Sequence, residues 1–323
     1  MLSFLDKITK KFITHDFPYH SRVHLLKSFN TPGLQCFIKR DDELGLTGSK
    51  IRKFSSLLSH ILQHEFDETV VIGGANSNHV LGMTQLLIEN RIRPQLFLCK
   101  ARQEKPQGNA LLTQLLVPEN QIQWIARHEW EGVDALANEY ARQQSSEKKV
   151  FVIPEGGCTH EALPGALTLS LDILENEKKL GIQFDHLFID SGTGMMAIAL
   201  ILGLAFLQHP GHIHVVLIAG KQEDFLDKLN TYYQHFSSLL EWNGPEPTNF
   251  SLCKPFQAKA FGATTSLTFK IIEQIAREEG VLCDPIYNAK LFLEAQRIIK
   301  DNALKGKALI IQSGGTLSLP GFL

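Results

Sequence analysis

The stretch TVVIGGANSNH, residues 69–79, runs from β-branched apolar residues through two glycines into a polar segment, and a helical pattern follows it. A short apolar run bounded in this way reads as a buried strand, and Asn76 or Ser77 is placed to cap the helix behind it. The same unit recurs along the chain. PQLFLC (94–99), IQWIA (122–126) and KVFVIP (149–154) continue one series of strands separated by helical stretches. HLFID (186–190), HIHVVLIAG (212–220) and KALIIQS (307–313) form a second series, and QCFIKRDD (35–42) precedes the first. Strands alternating with helices predict βαβ units. The expected fold is therefore α/β: two open, mostly parallel twisted sheets flanked by helices, packed closely about a shared cleft.

The bulk composition agrees. A chain of 323 residues suits two lobes or one large α/β unit, and 44% hydrophobic with 20% charged residues supplies a sizeable core. With 32 Lys plus Arg against 34 Asp plus Glu, the formal charge of -2 gives no basic field for nucleic acid. Cys36, Cys99, Cys158, Cys253 and Cys283 lie far apart and read as reduced thiols of a cytoplasmic protein. The start MLSFLDKITKKF lacks the apolar run of a signal peptide, and MMAIALILGLAFL (195–207) is shorter than the roughly 20 residues of a membrane span. It reads as a buried helix, and no membrane association is expected. His60, His64, His128 and His160 fall in no HxH or HExxH pattern, so no metal site is expected.

Ligands of open α/β sheets sit beyond the carboxyl ends of strands, which directs attention to four turns: TGSK (47–50), GGANSNH (73–79), DSGTG (190–194) and QSGGT (312–316). In DSGTG, Gly192 and Gly194 permit close backbone approach, while Ser191 and Thr193 offer hydroxyls at a positive helix end. The turn suits one phosphate. It is not a dinucleotide fingerprint, because Met195 and Met196 follow Gly194. In TGSK, Ser49 precedes Lys50 and Ile51 follows it, the wrong order for a nucleotide-binding P-loop. Lys50 is then either a solvated lysine or a partly desolvated amine able to react with a carbonyl, and the turn alone leaves both open. Ser77 is explained by capping, yet the same helix end would also grip a carboxylate, and Asn78 is placed to donate to a phenolate oxygen. Ser313 is placed to set a hydroxyl against a ring nitrogen.

Taken in order, IKRDDELGLTGSKIRK, VIGGANSNH, IPEGGCTHEALPGAL, IDSGTG, EEGVLCDPIYNAK and LIIQSGGT resemble the pyridoxal phosphate-dependent D-cysteine desulfhydrase and 1-aminocyclopropane-1-carboxylate (ACC) deaminase family, of fold type II. The resemblance covers most of the chain. It implies a larger cofactor-binding domain of residues 1–47 and 160–323, a smaller α/β domain of 48–159, and pyridoxal 5'-phosphate in the cleft between them. By this likeness Lys50 carries the cofactor, Asn78 contacts its 3-hydroxyl, and Ser191, Gly192, Thr193 and Gly194 hold its phosphate with help from Lys53. Ser313 faces the pyridine nitrogen, where a hydroxyl would not keep that nitrogen protonated. Ser77, Asn78, His79 and Tyr287 would meet a small amino-acid substrate, with Lys50, Ser77 and Tyr287 catalytic. A homodimer is also implied.

The chain departs from the ACC deaminase pattern at Asn288, where a glutamate follows the tyrosine, and at Phe261, where a tyrosine stands. Met195 and Met196 replace small or hydroxylated residues of the phosphate loop. SNH resembles the desulfhydrase branch, although Asn76 does not. The expectation is a lyase acting on D-cysteine or a related small D-amino acid, with ACC deaminase as the alternative. A sugar or nucleotide phosphate enzyme and a non-catalytic cofactor carrier are the rivals from other classes.

Overall fold

The computed structural model describes residues 2–13, 17–100 and 105–322. Ten strands form two sheets: β1 Val23–Leu25, β2 Leu34–Arg40, β3 Glu68–Gly74, β4 Arg93–Cys99, β5 Ile122–Ile125, β6 Val150–Ile153, β7 His186–Ser191, β8 His212–Leu217, β9 Phe250–Cys253 and β10 Gly306–Gln312. The six-stranded sheet has the order β1-β2-β10-β7-β8-β9 and the four-stranded sheet β5-β4-β3-β6. Every pairing is parallel except that of β1 with β2. Each strand expected from the sequence is present within a few residues; β1 and β9 are additional.

The helices are α1 Leu2–Lys11, α2 Lys50–Gln63, α3 Asn78–Glu89, α4 Gly108–Leu116, α5 Val133–Gln144, α6 Leu163–Leu180, α7 Met195–Phe206, α8 Gln222–Leu240, α9 Ser266–Glu279 and α10 Asn288–Asp301. The apolar helix α7 is buried along nearly its whole length, as its sequence predicts. Among the described residues no helix is long and apolar enough to cross a membrane. The largest core cluster runs through both sheets, joining Val71 and Leu96 to Ile213 and Leu309 by way of α2, α6 and α7. A second cluster lies on the other face of the large sheet, under α9 and α10.

Helix α2 opens the site, and a buried ion network fixes it. Arg52, two residues past Lys50, donates from Nε and Nη2 to Asp41 at 2.7 Å each, and from Nη2 to Asp172 at 2.7 Å. Lys39 shares Asp172 and reaches Asn176 Oδ1 at 2.7 Å. Four elements, β2, the turn after it, α2 and α6, are thereby locked together. Burial lowers the Lys39 pKa, against the pull of Asp41 and Asp172, whereas Lys39 and Arg52 hold the Asp172 carboxyl below its usual range despite burial. Such a network is costly to break from one side, because a charge is then left buried without its partner.

Candidate active site

The four turns meet. Gly48 has φ +62, and a Cβ there would lie 2.3 Å from Ser313 O. This residue must be glycine for both reasons. The Ser49 N–H donates to Ser313 O at 2.9 Å, so the first turn is stitched to the fourth. The fourth reaches the second where a Cβ on Gly315 would lie 2.7 Å from Asn78 Nδ2. The third completes the ring through Tyr287: a Cβ on Gly192 would meet its Cε1 at 3.1 Å, and the Lys50 amine stands 5.4 Å from the centroid of the same ring.

Lys50 is the first residue of α2. By surface area it is half-buried, yet protein encloses its amine, and enclosure governs the charge. Burial lowers its pKa, against the weaker opposing pull of Asp190 and Asp284. Lys53 lies one helical turn on, donates to Gly156 O, and is lowered by burial to about 8.

Ser77 caps α3, its Oγ accepting from the His79 and Val80 amides at 3.2 and 3.4 Å. The capping reading holds, and the hydroxyl hydrogen remains to be donated. Asn78 is buried, and its Oδ1 accepts from Asn109 Nδ2 at 2.7 Å. That contact assigns the amide orientation: Nδ2 of Asn78 points away as a free donor. His79 is 2% exposed, packs on Phe54 and Gly157, and neither ring nitrogen has a hydrogen-bond partner. Burial first, then Lys53 and Lys50, keep this imidazole neutral. Its ring is buried at the first turn of α3.

Ser191 to Gly194 link β7 to α7. Gly194 has φ +110 and no side chain caps the helix, so the first amides of α7 are left to a ligand. Ser191 Oγ is buried without a partner. A Cβ on Gly156 would lie 2.3 Å from Thr193 Oγ1, which brings the 155–157 turn and the Lys53 amine against this loop. Lys228 and Cys158 hold Thr193 O from outside, at 3.2 and 3.5 Å.

Tyr287 is half-buried, and burial, then Asp284, Asp190 and Glu155, raise its pKa far above the ordinary phenol range. It stays protonated at neutral pH and can donate a hydrogen bond. Phe261, 60% exposed, sets its ring edge-on 6.1 Å from that of Tyr287. Asn288 is fully buried and its amide is consumed: Oδ1 accepts from Ser313 N at 3.0 Å, and Nδ2 donates to Asp284 Oδ1 at 2.7 Å and Gly314 O at 2.6 Å. It ties the last turn to α10 and presents nothing to the cleft.

Asn109, Asp190 and Asp284 escaped the sequence reading. Asp190 stands inside the quoted IDSGTG, while Asn109 carries no local signal, since its place depends on how α4 packs against α3. The pair His212 and His214 is also an HxH pattern that the sequence reading passed over. Their rings are engaged with Asn249, Ser251 and His186. His20 and Glu175 lie at the surface close to the buried Asp172, but Asp172 already serves Lys39 and Arg52.

An amine whose charged form burial disfavours, a free amide donor, a hydroxyl on the fourth turn and a bare helix end beside Lys53 form a donor set that fits a phosphorylated pyridine aldehyde. The orphaned Ser191 hydroxyl at the mouth of that helix fits the same group. The comparisons with known proteins agree. The family model described as pyridoxal-phosphate dependent enzyme matches residues 19–314. A D-cysteine desulfhydrase of Serratia proteamaculans is 27% identical over 304 residues, 89% of this chain and 88% of that protein. A protein of Pyrococcus abyssi, provisionally named an ACC deaminase, is 28% identical over 294 residues, 90% of this chain and 86% of the other. The crystal structure of an ACC deaminase homologue superposes with a TM-score of 0.86 at 23% identity, covering 98% of this chain and 96% of that one. That likeness is one of fold; with the match of the family model over nearly the whole chain, it follows that this protein belongs to the pyridoxal-phosphate dependent enzymes.

Proposed function

We propose that the enzyme is a lyase that converts D-cysteine, or a related small D-amino acid with a leaving group on its β-carbon, to pyruvate and ammonia, with sulfide released from D-cysteine. Pyridoxal phosphate, when bound, supplies the electron sink for the carbanion at the substrate α-carbon. Lys50 would carry the cofactor, the first amides of α7 with Ser191, Gly192, Thr193, Gly194 and Lys53 would hold its phosphate, Asn78 would donate to its ring oxygen, and Ser313 would face its ring nitrogen. The observation that supports this most is the place of the Lys50 amine, enclosed by protein where the four turns converge and 5.4 Å from the centroid of the Tyr287 ring.

In this reading the Lys50 amine would take the α-proton as general base. Tyr287, kept protonated beside it, gives a hydrogen bond or a proton to the departing sulfur. The Ser77 hydroxyl and the amides at the start of α3 grip the substrate carboxylate, with His79 lining the same region as a neutral ring. Thiolate is a good leaving group and needs little more. Opening the ring of ACC would need a further acid or base near the ring carbons; Asn288 is buried and hydrogen-bonded at both ends, and Phe261 has no hydroxyl. D-cysteine is therefore placed ahead of ACC, the second reading. Equal amounts of holoenzyme, assayed for sulfide and pyruvate from D-cysteine and for ammonia and 2-oxobutanoate from ACC, decide between them. Faster turnover of ACC would reverse the ranking.

The division into lobes of 1–47 with 160–323 and of 48–159, a homodimeric assembly and a cytoplasmic address belong to the same proposal. Sedimentation of the holoenzyme tests the dimer.

A further inference from the structure

Helix α10 carries two charged side chains that the reaction above does not use. Lys290 is 2% exposed and Glu294 is fully buried, and their spacing from Tyr287, at the helix start, sets all three on one face. Lys290 Nζ donates to Ala258 O at 2.8 Å and to Ala260 O at 3.2 Å, while Glu294 Oε1 accepts from the Phe256 amide. All three partners lie in the connection from β9 to α9. Ala258 is held there at φ +51, a backbone state that a residue with a side chain enters at a cost. Thr265 Oγ1 reaches back to Gln257 Oε1 at 3.4 Å and closes the loop on itself. A connection free to wander needs no buried ammonium and carboxylate to hold it; this one is strapped along the face of α10 that ends at Tyr287.

What the strap delivers is Phe261. Its ring is 60% exposed, yet it meets the Tyr287 ring edge-on with 6.1 Å between centroids. The Lys50 amine stands 5.4 Å from the centroid of that same tyrosine ring. A lone exposed phenylalanine is ordinary on a protein surface, but this one is set by two buried charges against the tyrosine assigned to the leaving sulfur. We propose that Phe261 is a specificity-determining residue and that the preferred substrates are D-cysteines alkylated on sulfur, whose apolar group covers its exposed ring. This rests on the lyase reading and names its substrate class. The Cα–H and Cβ–S bonds break: the proton goes to Lys50, and sulfur leaves with the electron pair, takes a proton from Tyr287 and departs as a thiol. Water hydrolyses the remaining enamine to pyruvate and ammonia, so no oxidant or reductant is consumed. Lys290 is a positioning residue that acts through the loop alone.

The test compares pyruvate release by the holoenzyme from S-ethyl-D-cysteine and from D-cysteine. The wild type is expected to favour the thioether in kcat/KM. Phe261→Ser is expected to lower the ratio of the two by roughly tenfold, the effect of a small alkyl group that loses its apolar cover. Lys290→Met is expected to lower the same ratio, whereas a purely structural role would lower the melting temperature and leave the ratio alone. Phe261→Ser, at an exposed position, decides the matter alone if the Lys290 variant does not fold. A wild type that prefers D-cysteine, or a ratio unmoved by Phe261→Ser or by folded Lys290→Met, overturns the proposal. Failure of the lyase reading looks different: the wild type would then release no pyruvate from either substrate, and both claims would fall together.

Discussion

Asn109 Nδ2 donates to Asn78 Oδ1 at 2.7 Å and also to Asn76 O at 3.2 Å, so a fully buried residue of α4 fixes the amide of the first residue of α3. The second turn of the site is thus oriented from behind. Without that donor, nothing selects which end of the Asn78 amide faces the cleft.

Asn109→Ala is accordingly expected to weaken cofactor retention by about 0.5–1.5 kcal/mol, the worth of a neutral hydrogen bond. Asn109→Asp should be more damaging, because a carboxylate would draw Nδ2 of Asn78 toward itself and leave its oxygen toward the ring. Fluorescence titration of apoenzyme with pyridoxal phosphate measures both. Equal affinity in the two variants would show that the amide orientation carries no weight.

Lys53 is a buried cation set beside the phosphate loop by way of Gly156, and its lowered pKa of about 8 leaves it mostly charged at neutrality. Lys53→Met should weaken cofactor binding by about 1.5–3 kcal/mol, the range for a bond to a charged group. The loss should shrink as pH rises above 8 in the wild type. An affinity that does not change with this substitution would remove Lys53 from the phosphate site.

Arg52→Ala leaves Asp41 and Asp172 buried with Lys39 as their remaining cation, and should cost about 3–5 kcal/mol of stability. Thermal unfolding of the holoenzyme reads this. Activity per folded molecule should also fall, since Arg52 anchors the helix turn that begins with Lys50.

His214 is 8% exposed, stacks on Phe188, and shares a hydrogen-bonded chain with His186, Ser251 and His212. Burial, then His212 and His186, lower its pKa to about 3. The unfolded chain, titrating near 6.5, binds the proton first, so this group's stability is full above about pH 6.5 and is lost on acidification toward 3. His214→Phe should flatten the pH dependence of stability below 6.5, removing up to about 1.4 kcal/mol per pH unit. An unchanged slope would mean that other groups govern acid lability.

The sequence made the parallel strands and their four turns legible, because the strands of a sheet covered on both faces are continuous apolar runs that end in glycine and hydroxyl residues. β9, FSLC, is partly exposed and short, and lacks that signal. What a linear reading lacked was the third dimension. Asn288 stood beside Tyr287 in the chain and read as a cleft residue, whereas one step along α10 turns it into the core. Asp190 was visible in IDSGTG, but its pull on the Lys50 amine depends on β7 ending beside the start of α2, more than a hundred residues away in the chain.

The central claim is that Lys50 carries the cofactor, and borohydride reduction of the holoenzyme followed by peptide mapping tests it most directly. The account predicts one pyridoxyl group on the peptide containing Lys50, and loss of both the label and turnover, by several powers of ten, in Lys50→Ala. A label on Lys53 or any other lysine, or full activity in Lys50→Ala, would contradict it.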